Sequence, residues 1–211
     1  SYADIDDFNP LDYKLEYDKL SQMDKWALSK LNTLVKSVDE LMTDYKVTES
    51  ARLIQDFTDE LSNWYVRRSR DRFWANGMEQ DKINAYMTLY TCLVTLAKVS
   101  APFVPFMTEE IYQNYFKQFN NEISIHKFAF PEEILNITNS EEIVSEFEKI
   151  SEIIESVRRF KTEKQISMWA ELKNIIISWP KDYLELVKKF QDDLAWVTKT
   201  QNIEYLDRKS T

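Results

Sequence analysis

Apolar residues recur along the first 120 positions in steps of three and four, the spacing of one face of an α-helix. Ser21, with Asp24 three residues on, makes a capping-box-like start, and Ala27, Leu31, Leu34, Val38, Leu41 and Tyr45 follow as one stripe. A second long helix is predicted from a cap at Thr48 through Ile54, Phe57, Leu61 and Trp64 to about position 74, where Asn76-Gly77 ends it. Ile83, Tyr86, Met87, Tyr90, Leu93, Val94 and Ala97 mark a third, which stops near Ala101 because Pro102 biases the residue before it away from helical backbone. Phe103, Val104 and Phe106 pack the bend that follows. Past Pro105, Thr108 is placed to cap a fourth helix. Glu109 and Glu110 then fall in its first turn, where the helix dipole favours acids, and Ile111, Tyr112, Tyr115 and Phe116 face inward. Four such helices with short connections predict an antiparallel bundle over residues 21–130. An extended lead-in, residues 1–20, precedes it, with Asn9-Pro10 and no sustained period.

The pattern then changes. Ile123, Ile125 and Phe128 alternate as a short strand does, Pro131 breaks the chain, and a linker with few apolar anchors follows. From Ser140 to about Lys164 helix returns, with Ile143, Phe147, Ile150, Ile154 and Val157 on one side. Positions 172–179 are rich in β-branched residues, 183–197 read as amphipathic helix and 203–206 as a closing strand. This predicts a small helix-strand-helix-strand domain over residues 140–211. The crossover is long enough for its strands to pair in parallel, with a right-handed connection by the usual rule. The expected fold class is therefore mainly α: a helix bundle followed by a small α/β domain.

Composition narrows the function classes. With 44% hydrophobic and 30% charged residues, the chain has the balance of a soluble globular protein. No apolar run reaches the roughly 18 residues of a membrane span and no basic-then-apolar leader opens the chain, so the expectation is a cytoplasmic protein without membrane contact. One cysteine, Cys92, and one histidine, His126, assemble neither a disulfide nor a zinc site. One glycine, Gly77, where about fifteen would be average, excludes glycine-rich phosphate loops. The formal net charge of -9 repels nucleic acid unless basic residues cluster locally. Beyond about 8 Å at physiological salt the remaining charges are screened, so such clusters can act.

No catalytic constellation emerges. His126 lies in a strand-like run without a serine or cysteine partner, Cys92 reads as a buried inert thiol, and the pairs Glu109-Glu110 and Glu141-Glu142 sit at helix starts. The informative stretch is 62–74, where Arg67, Arg68, Arg70 and Arg72 lie between Trp64 and the pair Phe73-Trp74. Trp64, Arg68 and Arg72 fall at four-residue spacing, which on a helix points a ring and two guanidinium groups the same way. Unpaired RNA bases stack on such rings while arginines hold phosphates. In the alternative reading, the aromatics fill the core and the arginines form a solvated, salt-bridged face. A second basic cluster, Arg158, Arg159, Lys161 and Lys164, ends the helix of the small domain, where cations also suit the helix dipole.

These residues carry a resemblance. Tyr2-Ala3-Asp4-Ile5-Asp6, Asn9-Pro10, the stretch from Met23 to Asn32, the run from Leu61 to Trp74, Leu96-Ala97-Lys98, Ala101-Pro102-Phe103, Pro105-Phe106, Glu109-Glu110-Ile111-Tyr112 and Ser124-Ile125-His126 resemble class I isoleucyl-tRNA synthetases over about the first 130 residues. The resemblance implies a non-catalytic bundle that grips the anticodon stem and loop of tRNA. Trp64, Arg67, Arg68, Arg70, Arg72 and Trp74 are its candidate contacts, with Arg158, Arg159, Lys161 and Lys164 as an auxiliary phosphate contact. It further implies a trimmed, monomeric part of a longer ligase, neighboured by the catalytic domain of the same parent chain. That domain, not this part, would use ATP and Mg, and neither its His-x-Gly-His group nor its Lys-Met-Ser-Lys-Ser loop occurs here. Asp7 stands where isoleucine enzymes usually have glycine, and no cysteine-rich zinc module follows. Positions 155–177 look more like the end of valine-type synthetases. The competing readings are the same region of a valyl-tRNA synthetase, a helical protein-interaction module, and a free-standing hydrolase or transferase, which composition argues against.

Overall fold

The computed structural model describes residues 2–134, 137, 140–167, 169–179 and 182–207. Its chain forms two units, residues 1–141 and 142–211. The first is a helix bundle: α1 (Tyr2–Ile5), α2 (Gln22–Thr43), α3 (Val47–Glu60), α4 (Arg70–Trp74), α5 (Gln80–Ser100) and α6 (Pro105–Ile111). The second holds most of α7 (Ser140–Glu163), then β1 (Leu172–Trp179), α8 (Asp182–Lys189), α9 (Gln191–Thr198) and β2 (Thr200–Asp207). Mainly helical structure with one small sheet is the fold class expected.

The start of α2 follows from its sequence. Ser21 accepts from the Asp24 backbone N–H at 3.2 Å and the Asp24 carboxylate accepts from the Ser21 N–H at 3.2 Å, a complete capping box. Ala27, Leu31, Leu34 and Val38 are buried as the stripe requires, but so are Trp26, Leu28 and Val35, because α2 is packed on more than one side. Tyr45 departs from the stripe. The helix ends at Thr43, and Tyr45 takes a left-handed φ of 59° while Lys46 N–H reaches back to the Leu41 carbonyl at 2.8 Å, leaving the ring 89% exposed.

The lead-in is not extended. Asn9 accepts from Leu11 N–H at 3.1 Å and caps a 3-10 turn that begins at buried Pro10. Phe8 stacks on Tyr13 at 5.5 Å and packs against Tyr86 at 5.0 Å. Asp7 adopts φ 49°, the conformation in which a glycine meets no Cβ penalty and an aspartate is tolerated. Next to it, Asp6 accepts from Tyr86 Oη and pairs with Lys82 Nζ, each at 2.6 Å, so the lead-in is fastened to α5. Those two partners, Lys82 first, hold the Asp6 carboxyl below its ordinary 3.8. The attachment is therefore complete above that value and is lost as pH falls through the lower folded one. Limited proteolysis or hydrogen exchange should show residues 2–13 loosening in acid before the bundle does. Asp6→Asn should loosen them at neutral pH, and full protection of that variant would refute the assignment.

Three further expectations are corrected. The second helix does not run unbroken from Thr48: Val47 is its first residue, and α3 passes into a π-helical stretch at Leu61–Val66. The fourth helix begins at Pro105, whose missing N–H is no loss at a first helical position. Thr108, one turn in, is buried with its hydroxyl on the Val104 carbonyl at 3.0 Å, and a second π-helical stretch, Tyr112–Phe116, buries Tyr112 and Phe116 but turns Tyr115 outward. The alternation at Ile123, Ile125 and Phe128 belongs to a 3-10 turn, Ile125–Lys127, because the Glu109 carboxylate takes the Ser124 hydroxyl and the Ile125 N–H, both at 2.9 Å, in place of a strand ladder. Past that turn, Asn32 pairs with both backbone groups of Ile134, at 2.8 and 3.1 Å. Positions 135, 136, 138 and 139 of the expected linker and 208–211 of the expected second domain lie outside the described residues.

In the second unit β1 and β2 pair in parallel, with Leu172 opposite Thr200 and Ile175 opposite Ile203. Ile177 is buried and Ile176 exposed, the alternation of a sheet covered on one face. Ile143, Phe147, Ile150, Ile153 and Ile154 of α7 are buried, and Phe147 meets Phe190 edge-on at 6.2 Å. The single helix expected over 183–197 is broken at fully buried Phe190 into α8 and α9, and β2 is longer than the strand expected at 203–206.

Candidate nucleic-acid interface

Phe57, Leu61, Tyr65, Ser69 and Phe73 are all buried, a strict four-residue spacing. Each such step overshoots an ideal α-helical turn by about 40°, so an unbroken helix would carry the fifth residue roughly 160° around the axis. The π-helical stretch, with more residues per turn, and the break at Ser69 (ψ 4°) absorb this drift and keep all five inward. The same re-phasing separates the residues that simple helical spacing groups together. Tyr65, not Trp64, fills the core; Trp64 is half-buried, with the Arg68 guanidinium 5.5 Å from its ring centroid. Arg72 faces elsewhere.

Arg72 is a structural residue. Its Nη1 and Nη2 grip the two oxygens of Asp24 at 2.8 Å each, and its Nε and Nη2 reach the Asp81 carboxylate, also at 2.8 Å. Tyr65 donates to Asp24 at 2.5 Å and lies 3.2 Å from the Ala85 carbonyl. The Asp24 carboxylate, 0% exposed, is thus compensated by a bidentate guanidinium, a phenol and the cap N–H. Burial would lower the Arg72 pKa, but the bonds to Asp24 and Asp81 outweigh it and hold the group above its ordinary value. Burial first, then the Asp24 charge, pushes the Tyr65 phenol well above 10. With only 18% of its side chain accessible and its guanidinium gripped by two carboxylates, Arg72 is taken up by the fold.

Arg67, Arg70 and Trp74 are exposed, Trp74 by 52%, with the Arg70 guanidinium 5.3 Å from a Trp74 ring centroid. Trp74 also lines an open groove of about 430 Å³ with Ile5, Asp6, Asn76, Gly77 and Lys82. Through Arg72, two residues before Trp74, this run is fastened to the first turns of α2 and α5, which hold Asp24 and Asp81.

The second cluster is divided in the same way. Lys161 is 1% exposed and donates to the Ala170 and Thr198 carbonyls at 2.8 and 3.0 Å, so it ties the end of α7 to the end of α9 and is no phosphate contact. Arg158 pairs with Glu155 at 2.7 Å. Arg159 and Lys164 are exposed.

Residues 24–177 match the family described as the anticodon-binding domain of tRNA ligase. The chain belongs to that family. It is 44% identical over 193 residues to an isoleucine–tRNA ligase of Clostridium novyi, a match covering 89% of this chain and 18% of that protein. It is 53% identical over 133 residues to the Clostridium acetobutylicum enzyme of that name, covering 62% and 13% respectively. The Bacteroides fragilis enzyme is 46% identical over 134 residues, with 62% and 12% covered. The chain thus spans less than a fifth of the length of these curated relatives.

Within this anticodon-binding domain, sequence reasoning found the arginine–aromatic run but not the Asp24, Tyr65 and Asp81 groups that fix it. The capping box placed Asp24 at a helix start, and the strict four-residue series through Tyr65 was the available signal for the re-phasing. His126 is exposed, with Nε2 3.2 Å from the Pro105 carbonyl. Cys92 is fully buried, and burial pushes its thiol far above the ordinary range, which keeps it unreactive. Among the described residues no cluster of three His, Cys, Asp or Glu side chains could hold a metal ion, and no helix is long and apolar enough to cross a membrane.

Proposed function

We propose that this domain binds the anticodon stem and loop of isoleucine tRNA as a non-catalytic, monomeric part of a cytoplasmic isoleucine–tRNA ligase. The observation that carries the reading is the ledge of Arg67, Arg70 and Trp74 beside the Trp64–Arg68 pair, cations and rings in one short, firmly anchored stretch of an otherwise acidic chain. Isoleucine is favoured over valine by relatives named isoleucine–tRNA ligase that align over 89% of the chain, tail included. ATP, Mg and the ligation step belong, on this reading, to the catalytic domain of the parent chain. With one glycine, the chain offers no glycine-rich loop for the phosphates of ATP. Arg159 and Lys164 remain as the auxiliary phosphate contact.

Filter binding to isoleucine, valine and unrelated tRNA transcripts tests this. Trp74→Ala should weaken binding of the isoleucine transcript by about 1–3 kcal/mol with the circular dichroism unchanged, since the ring is half in solvent. Affinity should fall with salt at a logarithmic slope of about 0.7 per neutralised single-strand phosphate. A flat salt response together with an unaltered Trp74→Ala affinity defeats the proposal.

A further inference from the structure

Trp169 is 71% exposed, yet described residues before and after it are held by hydrogen bonds. Gln165 takes a left-handed φ of 55°, and Ile166 N–H returns to the Lys161 carbonyl at 2.8 Å, folding the chain back over the end of α7. The Trp169 N–H lies 3.3 Å from the Ser167 hydroxyl and the Ala170 N–H 3.0 Å from the Ser167 carbonyl. Lys161 then anchors the Ala170 carbonyl from below, and Leu172 N–H takes the Lys199 carbonyl at 2.7 Å. A buried ammonium is costly unless it is hydrogen-bonded; the Ala170 and Thr198 carbonyls supply those bonds, and in doing so they fix the backbone next to an exposed indole.

The stretch of chain around that indole is rich in cations. Phe160, 48% exposed, immediately precedes Lys161, and Trp169 immediately precedes its partner Ala170, so the hydrogen bond brings the backbones that carry the two rings to the same end of α7. Lys164 follows Phe160 by one helical turn and Arg159 precedes it, both exposed. From 158 to 173 the sequence holds five cations against two acids, in a chain of net charge -9. Rings presented to solvent among cations suit a planar π-face joined to phosphates.

We propose that the second unit carries its own RNA contact, in which an unpaired nucleotide stacks on Trp169 while Arg159 and Lys164 hold the flanking phosphates. Lys161 acts as its positioning residue. This rests on tRNA being the ligand and deepens the auxiliary phosphate contact already assigned to Arg159 and Lys164 by adding Trp169, which no spacing argument singles out. In the test, the whole chain is titrated with an isoleucine tRNA transcript as wild type, Trp169→Ala, Trp169→Phe and Trp74→Ala. The expected result is a five- to hundredfold rise in Kd for Trp169→Ala, largely rescued by phenylalanine, which can still stack. A photocrosslinking residue at 169 should also attach to the transcript. If Trp169→Ala binds as wild type while Trp74→Ala is impaired, the second site is wrong and the first stands. If the wild-type chain binds no tRNA at all, both fall. Because the ring is exposed, unfolding of Trp169→Ala would itself contradict the site, as the indole would then be core.

Discussion

Arg72→Ala is expected to destabilise the bundle by about 3–5 kcal/mol, a large part of the 5–15 kcal/mol that holds a typical domain together. The loss comes less from the missing attraction than from what is left behind. Asp24 is fully buried, and without the guanidinium its charge retains only the Tyr65 hydroxyl and the Ser21 N–H, neither of which carries a compensating charge. Urea unfolding at neutral pH should show the midpoint falling at unchanged slope. Two companions sharpen the reading. Arg72→Lys keeps the charge but not the planar fork that meets both oxygens of Asp24, so it should fall between wild type and alanine. Asp24→Asn in the Arg72→Ala background should recover part of the loss, because the stranded charge is gone. An Arg72→Ala protein within about 1 kcal/mol of wild type would show that the network is incidental.

Lys161→Ala should cost the second unit about 2–4 kcal/mol, through two carbonyls left without a donor and a cavity in place of the four-carbon stem. Lys161→Met fills the space and should cost less. Hydrogen exchange read by segment would place the loss in 142–207 and leave 22–119 protected. The charge leaves its own mark: burial first, and Lys199 nearby, push the Lys161 ammonium below its ordinary 10.5. Between the folded value and 10.5 the unfolded chain holds the additional proton, so stability from this group rises with pH across that window. Lys161→Met should lack the rise. Equal losses in both units, or a pH response unchanged by methionine, would contradict this picture.

The two arginine clusters show where local reading ran out. Spacing alone placed Trp64, Arg68 and Arg72 on one face, which holds for a helix of constant pitch. The π-helical stretch at Leu61–Val66 and the break at Ser69 alter the pitch between them, so Trp64 and Arg68 meet and Arg72 turns to Asp24. Lys161, grouped by composition with Arg158, Arg159 and Lys164, proves to be an interior anchor, because its position on α7 faces the Ala170 and Thr198 carbonyls. Trp169 lies in no periodic segment, so no spacing argument reaches it.

What the sequence by itself determined were the properties that near neighbours decide. These are the capping box at Ser21 and Asp24, the helical periods, the turn to β-branched residues at 172–179, and a family signature dense enough to read directly. What only the tertiary structure decided is which charged groups are spent on the fold and which remain for a ligand. Asp24 and Arg72 are 48 residues apart, as Lys161 and Thr198 are 37 apart. Burial of a charge is set by everything packed around it, so identical side chains a few residues apart in one run come to opposite ends: Arg72 sealed against two carboxylates, Arg70 in solvent over Trp74.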